Sequence, residues 1–240
     1  MLLLTPDVIR TLQRKLYYKA KQEPKFRFYS LYDKVYRFDI LERAYKLVRA
    51  NKGKPGIDGV SFEDIEKEVG ITQFLADLRS KLKEGTYQPD AVKRVMIPKS
   101  NGDERPLGIP TIRDRTVQMA VKLVIEPIFE ADFEDHSYGF RPKRSAHDAI
   151  EEIADALITG HSQVVDADLS KYFDTIPHAK LMKVVAERIC DKSILKLIKQ
   201  WLKASIIKVG KDGIMKNIGG GKNSRFGTPQ GGLCKALHNV

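Results

Sequence analysis

The sequence predicts a mixed α/β chain of the α+β kind, and three observations carry that reading. Apolar residues recur at helical spacing, most clearly at Val117, Ala120, Val121, Val124 and Ile128. Two β-rich pairs are each interrupted by a turn. One spans 91–98 and 105–109 around Ser100-Asn101-Gly102-Asp103, the other 206–209 and 214–218 around Gly210-Lys211-Asp212-Gly213. Finally, Val164 and Val165 open a β-branched stretch that leads into Asp166, Asp168 and Asp174.

Taken in order, residues 6–20 predict a helix with Leu12, Leu16 and Ala20 on one stripe. Glu23-Pro24 and the basic, aromatic residues after it read as an irregular connection, and Leu41 to Ala50 as a second helix. Three glycines and a proline then mark 51–60 as a loop able to approach a phosphodiester chain closely, although a plain surface loop explains them equally well. Ser61-Phe62-Glu63-Asp64 has the pattern of a capping box. A helix from Ile71 buries Phe74, Leu75, Leu78 and Leu82 and ends at Gly85. The first hairpin follows, carrying Lys93, Arg94, Lys99 and Arg105. It reads either as a stiff cationic arm able to clamp a triphosphate or as an edge hairpin kept soluble by lysines. After the helix from Ile112 to Phe129 comes a turn with aromatics and three cations, Arg141, Lys143 and Arg144. Ser145 caps a helix to about Leu157, on whose face His147 has no evident partner. Beyond the aspartates, helices are predicted near 179–189 and 194–202. The glycine-rich 219–221 and 227–232 close the chain.

Hydrophobic residues make up 42% of the 240 and charged residues 30%, which fits a globular, soluble chain rather than a disordered one. No run of eighteen apolar residues exists, so no membrane partner is expected. Cys190 and Cys234 lack a metal or redox spacing and fit a reducing compartment, so a cytoplasmic location is expected. Charge says more. Forty-two basic against thirty-one acidic residues give +11, and residues 1–50 hold twelve Lys or Arg against five Asp or Glu. Tyr17, Tyr18, Phe26, Phe28, Tyr29, Tyr32, Tyr36 and Phe38 thread that basic stretch. Cations neutralise phosphates and aromatic faces stack on bases, so the mixture suits RNA or single strands. A basic helical surface with inward-packed aromatics accounts for part of the same pattern.

Alternation along a strand would place Asp166 and Asp168 on one face, with Phe173 and Asp174 beyond the strand end and Pro177 in the first turn of the next helix. An aspartate delivered to a strand's C-terminal edge suits a hard divalent cation, which takes oxygen ligands from one or two carboxylates and from substrate phosphates. Solvated turn aspartates that cap a helix are the plainer alternative.

Together these segments resemble the reverse transcriptases of bacterial group II introns, proteins that also act as maturases. The likeness runs from about residue 10 to residue 232. It is carried by Asn51-Lys52-Gly53-Lys54-Pro55-Gly56-Ile57-Asp58-Gly59 and by Ile97-Pro98-Lys99 with Arg105-Pro106-Leu107-Gly108-Ile109-Pro110-Thr111 and Asp114-Arg115. Ser137-Tyr138-Gly139-Phe140-Arg141-Pro142, Asp168-Leu169-Ser170-Lys171-Tyr172-Phe173-Asp174 and Gly227 to Gly232 complete it. The resemblance implies a right-hand polymerase fold. Residues 1–40 would form a basic N-terminal extension, 41–150 helix-rich fingers with a β-hairpin, and 151–240 a partial palm. It also implies RNA-directed DNA polymerisation with Mg²⁺, on an RNA template with a DNA primer and deoxynucleoside triphosphates, and group II intron RNA as a partner.

By the same resemblance Asp168 is the catalytic metal ligand, with the Leu169 carbonyl beside it. Two ions roughly 3.5–4 Å apart would activate the primer hydroxyl and stabilise the leaving pyrophosphate. Phe173 would exclude a ribose 2′-hydroxyl, Lys99 and Arg105 would grip the triphosphate, and Gln230 would lie against the nucleotide. Lys52, Lys54, Arg141, Lys143 and Arg144 are the expected nucleic-acid contacts, while Asp166 and Asp174 support the motif.

The chain departs from the family where it would complete the metal site, because the sequence contains no Asp-Asp dipeptide. The polypeptide alone is therefore expected not to polymerise DNA. Its uncovered palm is expected to leave apolar surface open and to favour self-association. Two rival readings stand beside polymerisation. One is an intron RNA-binding and splicing module that does not polymerise, the other a reverse transcriptase attached to phage defence or a CRISPR locus.

Overall fold

Helix α6 (Ile112–Glu130) is the axis on which the chain is packed. Thr111 starts it by accepting a hydrogen bond from the Asp114 amide at 3.1 Å, and the helix is buried around most of its circumference, from Ile112 through Val117 and Val121 to Ile128. A computed structural model describes residues 5–98, 102–169, 172–210 and 213–228. In it α1 (Asp7–Gln22) and α3 (Phe38–Ala50) lie against α6, burying Ile9, Leu16 and Ala20 from one and Ile40, Leu41, Ala44 and Val48 from the other. Each Ile, Leu or Val among them contributes about 1.5–3 kcal/mol when fully withdrawn from water. The short α2 (Tyr32–Val35) also touches α6.

The predicted capping box is present. Asp64 N donates to Ser61 Oγ at 3.1 Å and Ser61 N to Asp64 Oδ2 at 2.7 Å, opening α4 (Phe62–Asp64). A single π-turn (Ile65–Val69) follows and stops at Gly70, whose φ of +81° a side chain would resist. Helix α5 (Ile71–Lys83) then buries Leu75, Leu78 and Leu82.

Both expected hairpins form, β1 (Val92–Pro98) with β2 (Glu104–Ile109) and β3 (Ile206–Val209) with β4 (Met215–Gly219). They also join each other, because β1 pairs in parallel with β3 from Val92↔Ile206 to Arg94↔Lys208. The sheet order is β2-β1-β3-β4. The first hairpin is therefore anchored on one side by another hairpin and is not an isolated arm.

The remaining helices are α7 (Ala146–Ile158), α8 (Tyr172–Thr175), α9 (His178–Arg188) and α10 (Lys192–Leu202). Helix α9 begins at His178, one residue before the expected 179, with Pro177 as its extended N-cap and not within its first turn. Buried polar groups tie α9 and α10 to the N-terminal half. The Asp191 carboxylate accepts from Ser193 N and Ile194 N at the start of α10, and from Leu31 N and Tyr32 N, both at 2.9 Å. Arg188 donates to the carbonyls of Ala20, Glu23, Pro24 and Phe26 and pairs with Asp132 at 2.8 Å. Tyr87 donates to Asp114 at 2.6 Å and accepts from Trp201 Nε1 at 3.3 Å.

One sequence expectation is corrected here. Residues 161–169, including Val164, Val165, Asp166 and Asp168, form neither strand nor helix, and Val165 is 93% exposed. A β-branched pair favours a strand only where a neighbouring edge accepts its backbone hydrogen bonds. Among the described residues no strand pairs with this segment. The eight N-terminal aromatics divide. Tyr17, Phe26, Phe28, Tyr32 and Tyr36 pack on the core, whereas Tyr18, Tyr29 and Phe38 are exposed. No described helix is long and apolar enough to cross a membrane.

Candidate nucleic-acid and nucleotide site

The loop from Asn51 to Gly59 is held rigidly against the start of α6. A Cβ on Gly56 would come within 2.6 Å of the Thr111 Cα, so only glycine permits this approach. Arg115 reaches back from α6 and donates to the Lys54 carbonyl at 2.8 Å. Its guanidinium and that of Arg49 both lie over the Phe62 ring, at 5.7 and 5.1 Å from its centroid. Lys52 and Lys54 are left exposed on this pinned loop, Lys52 with a φ of +47°. Sequence reasoning named Arg115 within a motif but missed that it anchors the loop, since its partners lie far away in the chain.

On the hairpin, Arg105 is exposed opposite Ile97, in a register that runs from Lys93↔Ile109 to Pro98↔Glu104. Lys99 lies outside the described residues. The turn from Ser137 to Ser145 is tightly wound, with Phe140 and Lys143 both at positive φ. Arg141 was expected to face nucleic acid. Its side chain is instead 5% exposed, paired to Glu130 at 2.7 Å, bonded to the carbonyls of Glu134 and Ser137, and laid over Phe133. A guanidinium with this many inward donors fixes the turn. Arg144 lies over Tyr138 at 5.3 Å, and Lys143 is exposed.

The last part joins two motifs. Thr228 N donates to the Phe173 carbonyl at 2.8 Å, Gly227 N donates to the Ile176 carbonyl at 3.0 Å, and Pro177 bridges Phe226. Gly227 sits at φ +81°, where a Cβ would be 3.0 Å from the Asp174 carbonyl oxygen. The imidazole of buried His178 holds the same turn, its Nε2 donating to the Gly227 carbonyl at 2.6 Å. No pattern in the sequence singled out His178. Phe173 is thus brought against the glycine turn that leads toward Gln230, which itself lies outside the described residues. Asp166, Asp168 and Leu169 are exposed, outside any helix or strand, before that junction, and Asp174 is exposed beside it.

Among the described residues, no cluster of three His, Cys, Asp or Glu side chains could hold a metal ion. Asp166 and Asp168 supply carboxylates without a fixed frame, so they do not by themselves make a cage for Mg²⁺. The buried carboxylates are structural. Burial pushes the Asp114 carboxyl above its usual range, against the lowering pull of hydrogen bonds from Tyr87 and from the Asp90 amide.

The reverse transcriptase (RNA-dependent DNA polymerase) family matches residues 97–234. Protein YkfC of Escherichia coli (strain K12) is 39% identical over 236 residues, covering 96% of this chain and 59% of that protein. The group II intron-encoded protein LtrA of Lactococcus lactis subsp. cremoris is 38% identical over 218 residues, covering 88% of this chain and 33% of LtrA. The chain therefore spans between a third and three-fifths of these relatives' lengths. Among solved structures, a chain of a partial Cas6-RT-Cas1--Cas2 complex aligns with a TM-score of 0.47 and 22% identity, over 87% of this chain and 33% of that one. Because the matched residues cover more than half of the sequence and include β2, the turn at 137–145 and both sides of the Phe173–Thr228 junction, the chain belongs to the reverse transcriptase family.

Proposed function

We propose that the chain supplies the fingers and the opening of the palm of a group II intron-type RNA-directed DNA polymerase, and that alone it binds RNA without synthesising DNA. The observation that carries this reading is the backbone junction between Phe173 and Thr228, which draws the end of the aspartate motif and Gly227-Thr228 together. In a polymerase of this family the substrate would meet template and primer at such a junction. Here Phe173 would set the space beside the nucleotide sugar and Arg105, with Lys99, would neutralise the triphosphate. Gln230 would lie against the sugar and base.

Asp168, with the Leu169 carbonyl, is the proposed ligand of Mg²⁺, the metal that would organise nucleotidyl transfer when bound. Positioning and charge neutralisation carry such a reaction, with no covalent intermediate on the protein. Three features support inactivity of this polypeptide by itself. The sequence lacks an Asp-Asp pair. Asp168 stands outside any strand or helix. At an effective dielectric of 20, each opposing charge at 4 Å is worth roughly 4 kcal/mol, so a missing carboxylate weakens a second ion by orders of magnitude.

RNA binding is assigned to Lys52, Lys54, Lys143 and Arg144, whose backbone is held by the packed loop and turn. Arg141 serves them by fixing the turn. Primer extension on poly(rA)/oligo(dT) tests the division of labour. The chain is expected to give no product with Mg²⁺, and synthesis that Asp168→Asn abolishes would contradict it.

A further inference from the structure

Helix α7 presents an apolar stripe that no described residue covers. Ile150, Ile153 and Leu157 lie along one side with Ile158 at the end, Ile153 being 58% and Ile158 83% exposed, and no residue of the helix is buried. The rest of its surface is acidic, with Asp148, Glu151, Glu152 and Asp155 and no Lys or Arg. Glu152 also pairs with His136 and accepts from Tyr138. An amphipathic helix normally gains its stability by burying such a stripe.

A groove of the opposite character lies elsewhere on the chain. It encloses about 820 Å³ between α9, α10 and the turn at 224–226. Pro177, Met182, Leu195, Leu202 and Phe226 form its apolar walls, and Lys192, Lys196, Lys199, Lys203 and Arg225 surround them. Among the described residues no carboxylate lines it. Lys192, Lys196 and Lys199 make no ion pair among the described residues, while Lys203 donates to the Lys222 carbonyl.

We propose that α7 of one copy docks into the α9–α10 groove of a second copy, apolar stripe against apolar walls and carboxylates against the lysine rim. The mode is that of a helix laid in a groove, where aliphatic residues at i, i+3 and i+7 act as anchors. Ile150, Ile153 and Leu157 have that spacing. Charge complementarity selects the orientation and disfavours α7 against α7, where eight carboxylates would meet. RNA is the less favoured occupant, because the walls are largely aliphatic and, of the two aromatic rings among the described lining residues, His178 is buried and bonded to the Gly227 carbonyl, which leaves Phe226 for stacking.

Sedimentation velocity of the purified chain, without nucleic acid, tests the contact independently of any polymerase activity. Association that rises with protein concentration is expected. Glu151→Lys with Asp155→Lys, or Lys196→Glu with Lys199→Glu, should each weaken it by about tenfold or more, and an equimolar mixture of the two double variants should recover hetero-association. Circular dichroism on each variant separates a lost contact from a lost fold. Ile153→Asn, at an exposed position, supplies a second disruption that leaves the charges alone. A monomer at every concentration would overturn the proposal. So would association indifferent to the groove lysines, including the case in which those lysines prove to be needed only for RNA binding.

Discussion

The helical layer around α6 and the segment from 131 to 169 use similar amphipathic material with opposite outcomes. Helices α1, α3, α5 and α10 all bury their apolar sides, and their ends are secured by groups such as Asp191 and Arg188. Helix α7 has a comparable apolar stripe and a complete capping box at Ser145 and Asp148, yet buries nothing. Its local signals are sufficient to form a helix, whereas burial depends on a neighbour that this segment does not meet among the described residues. Asp168, the proposed metal ligand, and its neighbour Asp166 lie on the uncovered side of that divide. The groups proposed to grip RNA sit on the packed side or on turns clamped to it.

The contrast predicts unequal costs for similar substitutions. Ile128→Ala, in fully buried α6, should destabilise the chain by about 2–5 kcal/mol in chemical denaturation. A loss below 1 kcal/mol would show that the α6 layer is not the stabilising core. Asp191→Ala removes the acceptor of four backbone amides and should cost roughly 2–4 kcal/mol by the same measurement, since two helix starts lose their cap together.

Asp114 gives a smaller effect that depends on pH. Its folded-state carboxyl lies above the usual range because it is buried. Its contribution to stability is therefore fully present below the unfolded value of about 3.9 and is lost as pH rises through the raised folded value. Comparing wild type with Asp114→Asn from pH 4 to 7, the wild-type advantage should shrink as pH rises; an advantage that grows would reverse the assigned sign. Smallest of all, Ile153→Ala in α7 should change the stability of the dilute chain by less than about 0.5 kcal/mol. A loss like that of Ile128→Ala would mean that α7 is packed after all.

What could be read in the sequence follows the same divide. The α6 stripe predicted 112–129 and the helix is Ile112–Glu130, because its burial repeats every turn and its N-cap is written next to it. Ser61 and Ser145 announced their helices for the same local reason. The parallel pairing of β1 with β3 was not legible, since nothing near Val92 encodes Ile206. Nor was the inward role of Arg141, whose partners Glu130 and Phe133 are matched in space rather than by a pattern. The strand expected at Val164 and Val165 failed because strand propensity describes a residue, while a strand is a relation to a partner. For the candidate site, the motifs located Phe173 and the glycine turn, but the hydrogen bonds that join them, and His178 beneath, required the fold.

The most direct measurement for the central claim is filter binding of group II intron RNA across a range of salt, with wild type, Asp168→Asn and the Lys52→Ala/Lys54→Ala double variant. Affinity should fall steeply with salt, identically for wild type and Asp168→Asn. The double variant should bind more weakly, with a log–log slope reduced by up to about 1.4 if both lysines contact single-stranded phosphates. Binding insensitive to salt, or lost on changing Asp168 alone, would contradict an RNA grip built on the pinned, cationic side of the molecule.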